Sequence, residues 1–349
     1  MKNLLDNSLY VEDISYVAGL ELPWDKLNNS KVLITGASGL IGSFLIDVLM
    51  WRNRNEDMNC KIYAMGRNES SVRERFVQYW GSPLFTFIIH DITEKTEIEE
   101  SFDYILHLAS NTHPVAYATQ PISTITTNVI GTYNLLRHAS DYGTRRFLFA
   151  SSNEIYGENR GDVEFFTEEY CGYINCNTLR AGYTESKRCG EALCQAYMKE
   201  KRVDIVMPRL TRSYGPTLLN SDTKAMSQFI RKAISGEDIV LKSEGKQYYS
   251  YTYVADAVSG LLTALLKGES GEAYNIADEK SDIMLKDLAS VIAKMCGRKV
   301  VFEIPDNTEK MGYSTATKAR LDGSKLKNLG WKMNYDIPEG IKRTISILA

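Results

Sequence analysis

The sequence predicts an α/β protein, a doubly wound parallel sheet with a smaller C-terminal α/β lobe. Three observations carry this. Short β-branched runs alternate with segments whose apolar residues recur at i, i+3 and i+4. A glycine-rich turn, GASGLIG, falls between the first such run and the first such segment. Beyond Tyr214-Gly215-Pro216 the alternation gives way to shorter helices with isolated strands.

Each element follows from its own pattern. Residues 1–30 are polar and read as an N-terminal extension. Its Pro23-Trp24 stretch fits a helix packed on the first domain or an arm for a subunit contact; packing is expected. Buried parallel strands are expected at KVLIT from Lys31, KIYAM from Lys61, FTFIIH from Phe85, YILHLAS from Tyr104, RFLFAS from Arg146 and DIVMPRL from Asp204. A strand covered on both faces is apolar throughout rather than alternating. Helices are expected between them over Leu40–Met50, Thr124–Tyr142 and Tyr183–Lys199, then over Lys224–Ile234, Val254–Leu266, Leu285–Met295 and Ile337–Ile347. EAYNIA, from Glu272, reads as an isolated strand of the second lobe. The domains expected are therefore 31–213 for a nucleotide-binding, Rossmann-type unit and 214–349 for a smaller substrate-binding lobe, with some elements exchanged.

Bulk properties exclude several classes. The chain has 349 residues and a net charge of −3, with both signs interspersed, so no nucleic-acid partner is expected. Its six cysteines show neither CxxC nor a Cys/His ligand spacing, and MKNLLDNSLYVED has no apolar signal core. A reduced, cytoplasmic chain without structural metal is expected. The apolar stretches near Leu261 stay at about ten residues, short of the roughly 20 that span a bilayer, so no membrane partner is expected.

Gly36, Gly39 and Gly42 stand between a strand and a helix in the form GxxGxxG. Glycine lets the backbone turn tightly and approach a pyrophosphate, which the helix N-terminus favours. This points to a dinucleotide. Asp91, after FTFIIH, suits an adenine amino group or, equally simply, a helix N-cap ahead of Ile92-Thr93. At the end of the second strand, where an acid would hold the ribose 2′-OH of NAD, the chain reads AMGRNESS. Arg67, with Ser70 or Ser71, suits a 2′-phosphate and leans towards NADP; its alternative is an ordinary solvated turn residue.

Tyr183 and Lys187 in GYTESKR are four apart, on one helical face. An ammonium near a phenol lowers its pKa, so Tyr183 is expected to act as a base, with Ser152 joining from the end of the preceding sheet strand.

The ordered set GASGLIG, ASSNEIYG, YTESK, RLTRSYGP and YTYVADA resembles the extended short-chain dehydrogenases/reductases, the nucleotide-sugar epimerases and dehydratases, from Lys31 to the C-terminus. The resemblance implies NAD or NADP on the first lobe, a nucleotide-sugar substrate on the second, and hydride removal from a sugar carbon, usually C4. It implies Ser152, Tyr183 and Lys187 as catalytic residues. It further implies cofactor contacts along Gly36, Gly39, Leu40, Ile41, Gly42, Arg67, Asp91, Ile92, Ala109, Ser110, Tyr183 and Lys187. The helices at Thr124–Tyr142 and Tyr183–Lys199 resemble the family's dimerisation bundle, which implies a homodimer.

Within that family, plain 4-epimerases lack an acid at the position of Glu154, whereas 4,6-dehydratases and UDP-glucuronate decarboxylases carry one. The resemblance thus makes Glu154 a fourth catalytic residue; the plainer reading is an ion pair or a turn cap. Dehydratases place Asp just before that Glu, but here Asn153 stands there, and an amide cannot protonate a leaving hydroxyl. EEYCGYINCNTLRAGYTESKR resembles the decarboxylase version, with Asn175 and Arg180 in matching places. Two departures stand out. Tyr249 replaces the arginine usual before YVxD, and Arg212 replaces the asparagine of RxxNxxGP. Asn153, Asn175, Arg180, Arg212, Tyr249 and Arg320 are the expected substrate contacts, Arg320 with a surface-residue alternative. His107 reads as a packed strand residue, His113 as a loop contact near the nicotinamide, and Tyr248, Tyr249, Tyr251 and Tyr253 as alternating strand packing. Decarboxylase-like chemistry is expected first, epimerisation or 4,6-dehydration next, with a non-catalytic NADP-sensing module as the competing class.

Overall fold

Strands that are apolar at every position need cover on both faces, and the computed structural model of the chain, which describes residues 3–95, 98–112, 114–303 and 317–349, meets that need with helices on each side of one sheet. The strands are β1 (Lys31–Thr35), β2 (Lys61–Gly66), β3 (Phe85–Ile89), β4 (Tyr104–His107), β5 (Arg146–Phe149), β6 (Ser151–Ser152), β7 (Ile205–Leu210), β8 (Arg212–Tyr214), β9 (Ile239–Leu241), β10 (Tyr248–Tyr253), β11 (Ala273–Ile276), β12 (Asp282–Met284), β13 (Val300–Phe302) and β14 (Lys318–Ala319). The main sheet runs β11-β7-β5-β4-β1-β2-β3, all parallel, with β6 continuing β5 against β7. The order reverses between β1 and β4, which opens a crevice at their C-terminal ends.

The helices are α1 (Ser8–Ala18), α2 (Leu40–Asn55), α3 (Glu69–Arg75), α4 (Pro114–Thr119), α5 (Pro121–Thr126), α6 (Thr132–Asp141), α7 (Ala181–Lys201), α8 (Ala225–Ile234), α9 (Val254–Lys267) and α10 (Leu285–Met295), followed by a C-terminal helix, Ile337–Leu348. Alternate residues of β1 serve two cores. Val32 and Ile34 pack with Phe44, Val48, Val258 and Leu261 of α2 and α9, while Leu33 packs with Leu135, Leu136 and Cys194 of α6 and α7. Across the crevice, β8, β12 and β14 flank β10, and β9 pairs with β13.

The N-terminal extension is packed. Helix α1 lies against α2 and α9. The Tyr10 hydroxyl donates to Asp47 (2.5 Å), which also takes the Tyr79 hydroxyl (2.9 Å) and an ion pair with Arg75. Asp13 pairs with Arg343 of the C-terminal helix (2.8 Å) and accepts from the Tyr253 hydroxyl (2.5 Å).

Two sequence expectations are corrected. EAYNIA is no isolated strand of the second lobe: β11 pairs with β7 and forms the edge of the main sheet, an addition set by tertiary pairing rather than by local pattern. Thr124–Tyr142 is not one uninterrupted α-helix. A π turn, Thr127–Gly131, separates α5 from α6, and Gly131 comes so close to Ile92 that a Cβ would lie 2.6 Å from Ile92 Cδ1.

Candidate active site

β1 runs into Gly36 at φ +67°, the first residue after the strand, where a Cβ would stand 2.8 Å from the Ala109 nitrogen; only glycine lets the turn pass this close to the chain leaving β4. One turn into α2, a Cβ on Gly42 would meet the Gly36 carbonyl at 2.5 Å. Gly39 caps α2 without a side chain, so the first-turn N–H groups of Leu40, Ile41 and Gly42 have no side-chain acceptor. All these residues line one cavity of about 1170 Å³ that runs from the glycine turn across the crevice to β9 and β10. The cradle and the N–H groups facing it fit a dinucleotide pyrophosphate.

Beneath the cradle, Thr35 Oγ1 accepts the N–H groups of Leu108 and Ala109 (3.2 and 3.1 Å). Its own proton therefore goes to His107 Nδ1 (2.9 Å), which leaves Nε2 to donate to Thr132 Oγ1 (3.1 Å) and Thr132 to donate to the Asn128 carbonyl (2.5 Å). Burial pushes His107 down to about 3, so it is neutral, as this tautomer requires. On the π turn, Asn128 accepts from the Ser110 hydroxyl (2.8 Å) and donates to Ser186 (2.9 Å), which donates to the Tyr183 carbonyl (2.8 Å). His107 is thus a hydrogen-bonding residue and not merely packed. His113 lies outside the described residues.

Arg67 is exposed at the end of β2, 3.6 Å from Asp91. Asp91 accepts from the backbone and hydroxyl of Thr93 (2.9 and 2.8 Å); burial opposes ionisation, but these bonds and Arg67 bring its carboxyl below the usual range. The alternative of a helix N-cap ahead of Ile92-Thr93 is not met: Asp91 opens a turn, and Ile92 to Lys95 are not helical.

Tyr183 and Lys187 project from α7 beside Ser152, and all three line the cavity. Burial pushes the Tyr183 phenol up to about 12, against a hydrogen bond from Ser152 and the charge of Arg180, both of which lower it; Glu154 raises it further. The Lys187 ammonium donates to the Ala150 carbonyl (2.8 Å) above the Phe149 ring, and burial lowers its pKa to about 8. The expected acidified phenol is therefore not found: burial outweighs the Ser152 hydrogen bond and the Arg180 charge.

Glu154 lies in the turn after β6, its N–H bonded to Ser152 Oγ (3.2 Å). Its carboxylate takes a 2.6 Å hydrogen bond from Arg180 Nη2, and Arg212 Nη2 stands 3.7 Å from the other oxygen. Arg180 lies over the Tyr117 ring, Tyr117 stacks on Tyr183 with centroids 4.8 Å apart, and Arg212 lies 3.6 Å over the Tyr249 ring. The ion-pair reading of Glu154 holds as geometry, on the cavity wall.

Arg67, Asp91, Ile92, Ala109, Ser110, Asn153, Glu154, Arg180, Arg212 and Tyr249 all border the cavity. Two expected substrate residues do not. Asn175 is exposed and accepts from the Asn177 N–H (3.1 Å). Arg320 is held between the Phe165 and Tyr248 rings and pairs with Glu164 (2.6 Å). Sequence reasoning missed Tyr117 and the far wall of Phe229, Lys232, Lys242 and Gln247, which line the cavity, and Asn128, which does not line it but bonds Ser110 and Ser186 behind its wall. The TTNVIG stretch that carries Asn128 gives no local signal for this role, which comes from its contacts with Ser110 and Ser186.

A sequence model of the NAD dependent epimerase/dehydratase family matches residues 32–277. The chain is 33% identical to UDP-glucuronic acid decarboxylase 6 of Arabidopsis thaliana, covering 90% of this chain and 87% of that one. It is 34% identical to UDP-glucuronic acid decarboxylase 1 of Xenopus tropicalis, covering 91% and 72%. Among solved structures, it superimposes on a UDP-glucose 4-epimerase of Thermotoga maritima with a TM-score of 0.78 at 24% identity, covering 91% and 98%. A dTDP-glucose 4,6-dehydratase of Streptomyces venezuelae with NAD bound gives 0.77 at 22%, covering 90% and 96%.

Proposed function

The chain belongs to the NAD-dependent epimerase/dehydratase family, and on that premise we propose an enzyme that oxidises a nucleotide sugar transiently at C4 and removes a carboxylate from C5, as a UDP-glucuronate decarboxylase does. The observation that carries this reading is Glu154. It lies two residues beyond Ser152, on the wall that also presents Tyr183.

The cradle of Gly36, Gly39 and Gly42, with Ala109 and Ser110, would hold the dinucleotide, which supplies reversible hydride exchange at the sugar carbon. Tyr183 takes the C4 hydroxyl proton and Ser152 bonds the same oxygen. A phenol at about 12 is a weak acid, so the cations near it matter: Arg180 already lowers it, and Lys187, at about 8, is still mostly an ammonium at pH 7. Once C4 is a ketone, a C5 carboxylate is a β-keto acid. The C5–C6 electron pair moves towards the C4 oxygen, CO2 leaves, and C5 takes up a proton, a transfer we assign to Glu154.

Asn153 speaks against 4,6-dehydration, since an amide N–H is far too weak an acid to protonate a leaving hydroxyl. Arg67 supports NADP over NAD, and the exposed Ile122, Ile125, Ile130 and Leu179 near α5 and α7 support a homodimer. The two-lobe division at residues 31–213 and 214–349 fits a cavity walled from both sides.

The test is turnover of a UDP-hexuronate by the purified chain, with NAD and NADP compared and products read by mass spectrometry. A product lighter by CO2 is expected. Tyr183→Phe should lower turnover by about 10²–10⁴-fold while keeping cofactor binding, and Glu154→Gln should oxidise C4 yet stall afterwards. Full activity in Tyr183→Phe overturns the base assignment. A wild type that oxidises no sugar nucleotide favours the sensing module.

A further inference from the structure

Two guanidiniums and one carboxylate meet on the cavity wall, so the cluster of Arg180, Arg212 and Glu154 carries a net positive charge beside the reacting groups. The two arginines are not equivalent. Arg180 makes a 2.6 Å charge-assisted hydrogen bond, whereas the 3.7 Å from Arg212 is too long for one. Each guanidinium also has an Nη1 that is buried without a hydrogen-bond partner, a costly state that a further anion could relieve after a small shift.

Arg212 is nonetheless held in place. It projects from β8, which pairs with β10 so that Arg212 is opposite Tyr251; Tyr249, two residues along and on the same face, supplies the ring beneath the guanidinium. A planar fork fixed by stacking is suited to a planar anion with two oxygens. The sugar carboxylate and the diphosphate are both anionic. Position favours the carboxylate: Arg212 adjoins Glu154, which adjoins Ser152 and Tyr183, while Lys232 and Lys242 line the far end of the cavity.

We propose that Arg212 is the residue by which the cleft selects an acidic sugar: it exchanges its contact with Glu154 for the substrate carboxylate and so frees one oxygen of Glu154. This rests on the decarboxylase reading. A neutral sugar offers Arg212 nothing to exchange and leaves Glu154 between two cations.

The experiment compares two UDP-sugars that differ only at C6, carboxylate against hydroxymethyl, on the full chain with cofactor present. Calorimetry gives the ratio of their affinities, and cofactor absorbance follows C4 oxidation independently. Wild type should bind the acidic sugar more tightly. Arg212→Met should reduce the acidic-to-neutral affinity ratio by about 30- to 100-fold, the worth of a charged hydrogen-bonded contact. Arg212→Lys should recover part of it, and Tyr249→Leu, which removes only the stacking platform, should lower it less than Arg212→Met. If Arg212→Met weakens both sugars equally, the residue serves the diphosphate and the proposal fails. An unchanged ratio in all three variants also overturns it. A ratio that collapses in a protein unable to oxidise either sugar upholds the recognition while sinking the catalytic reading; an unchanged ratio with intact oxidation does the reverse.

Discussion

Gly190→Ala tests whether the placement of α7 against the sheet sets the reaction geometry. Gly190 follows Lys187 by three residues and Tyr183 by seven, so the three share a helical face. An added Cβ would stand 2.4 Å from Phe149 Cζ and 3.0 and 3.1 Å from the neighbouring ring carbons. Ordinary carbon contacts lie near 3.5–4.0 Å, so helix and ring must part by roughly 1 Å. Phe149 is fully buried beneath Lys187, and moving α7 stretches the 2.8 Å bond from Lys187 to Ala150. Overpacking of this kind costs about 1–3 kcal/mol, and a shift of about 1 Å at a reacting group costs on the order of 10²-fold in rate. Urea unfolding reads the first effect and single-turnover cofactor reduction at saturating substrate the second. Phe149→Leu in the Gly190→Ala background removes the offending ring and should restore much of the rate. Wild-type rate and stability in Gly190→Ala, or no recovery in the double variant, would refute the reasoning.

Two further predictions concern the buried charges. Arg343→Met leaves Asp13 without its buried cation, with only the neutral Tyr253 and Tyr335 side chains as partners, so a loss of about 3–5 kcal/mol is expected in urea at pH 7. Burial already raises the Asp13 pKa despite Arg343; without the arginine it rises further, and the loss should shrink at pH 5, where protonation relieves the unpaired charge. Asp256, buried while it accepts the N–H groups of Asn334 and Tyr335 (2.8 and 2.9 Å), is raised to about 7, chiefly by burial and then by Asp13 and Asp278. A folded-state pKa above the unfolded value favours the fold at low pH, and that contribution is lost as pH rises through 7. Relative to Asp256→Asn, wild type should therefore lose stability, by about 4 kcal/mol, between pH 4 and pH 8. Parallel pH profiles for the two proteins would contradict it.

The parallel strands were legible because burial on both faces leaves continuous apolar runs, and GASGLIG was legible because its glycines answer close backbone approaches at Gly36 and Gly42. What escaped depends on contacts between distant segments. The edge position of β11 comes from pairing with β7, and the π turn that interrupts Thr124–Tyr142 ends at Gly131, packed against Ile92 of a distant segment. Ser152, Tyr183 and Lys187 do meet, yet the acidity of Tyr183 is governed by its burial, which the spacing of YTESK does not encode. The tyrosines of β10 alternate as strand residues should, but Tyr249 also carries Arg212 and Tyr248 carries Arg320, and that second role separates an arginine on the cavity wall from one held away from it.

The locked tautomer of His107 has a practical corollary for kinetics. Imidazoles ordinarily confuse acidity curves near neutrality, because their ionisation overlaps that of tuned catalytic groups. Here the imidazole beneath the glycine turn has both nitrogens committed and stays uncharged down to about pH 3. A bend in rate near pH 6.5 would accordingly have to be traced to some other ionisation, and the scaffold under the cofactor contributes no background to subtract.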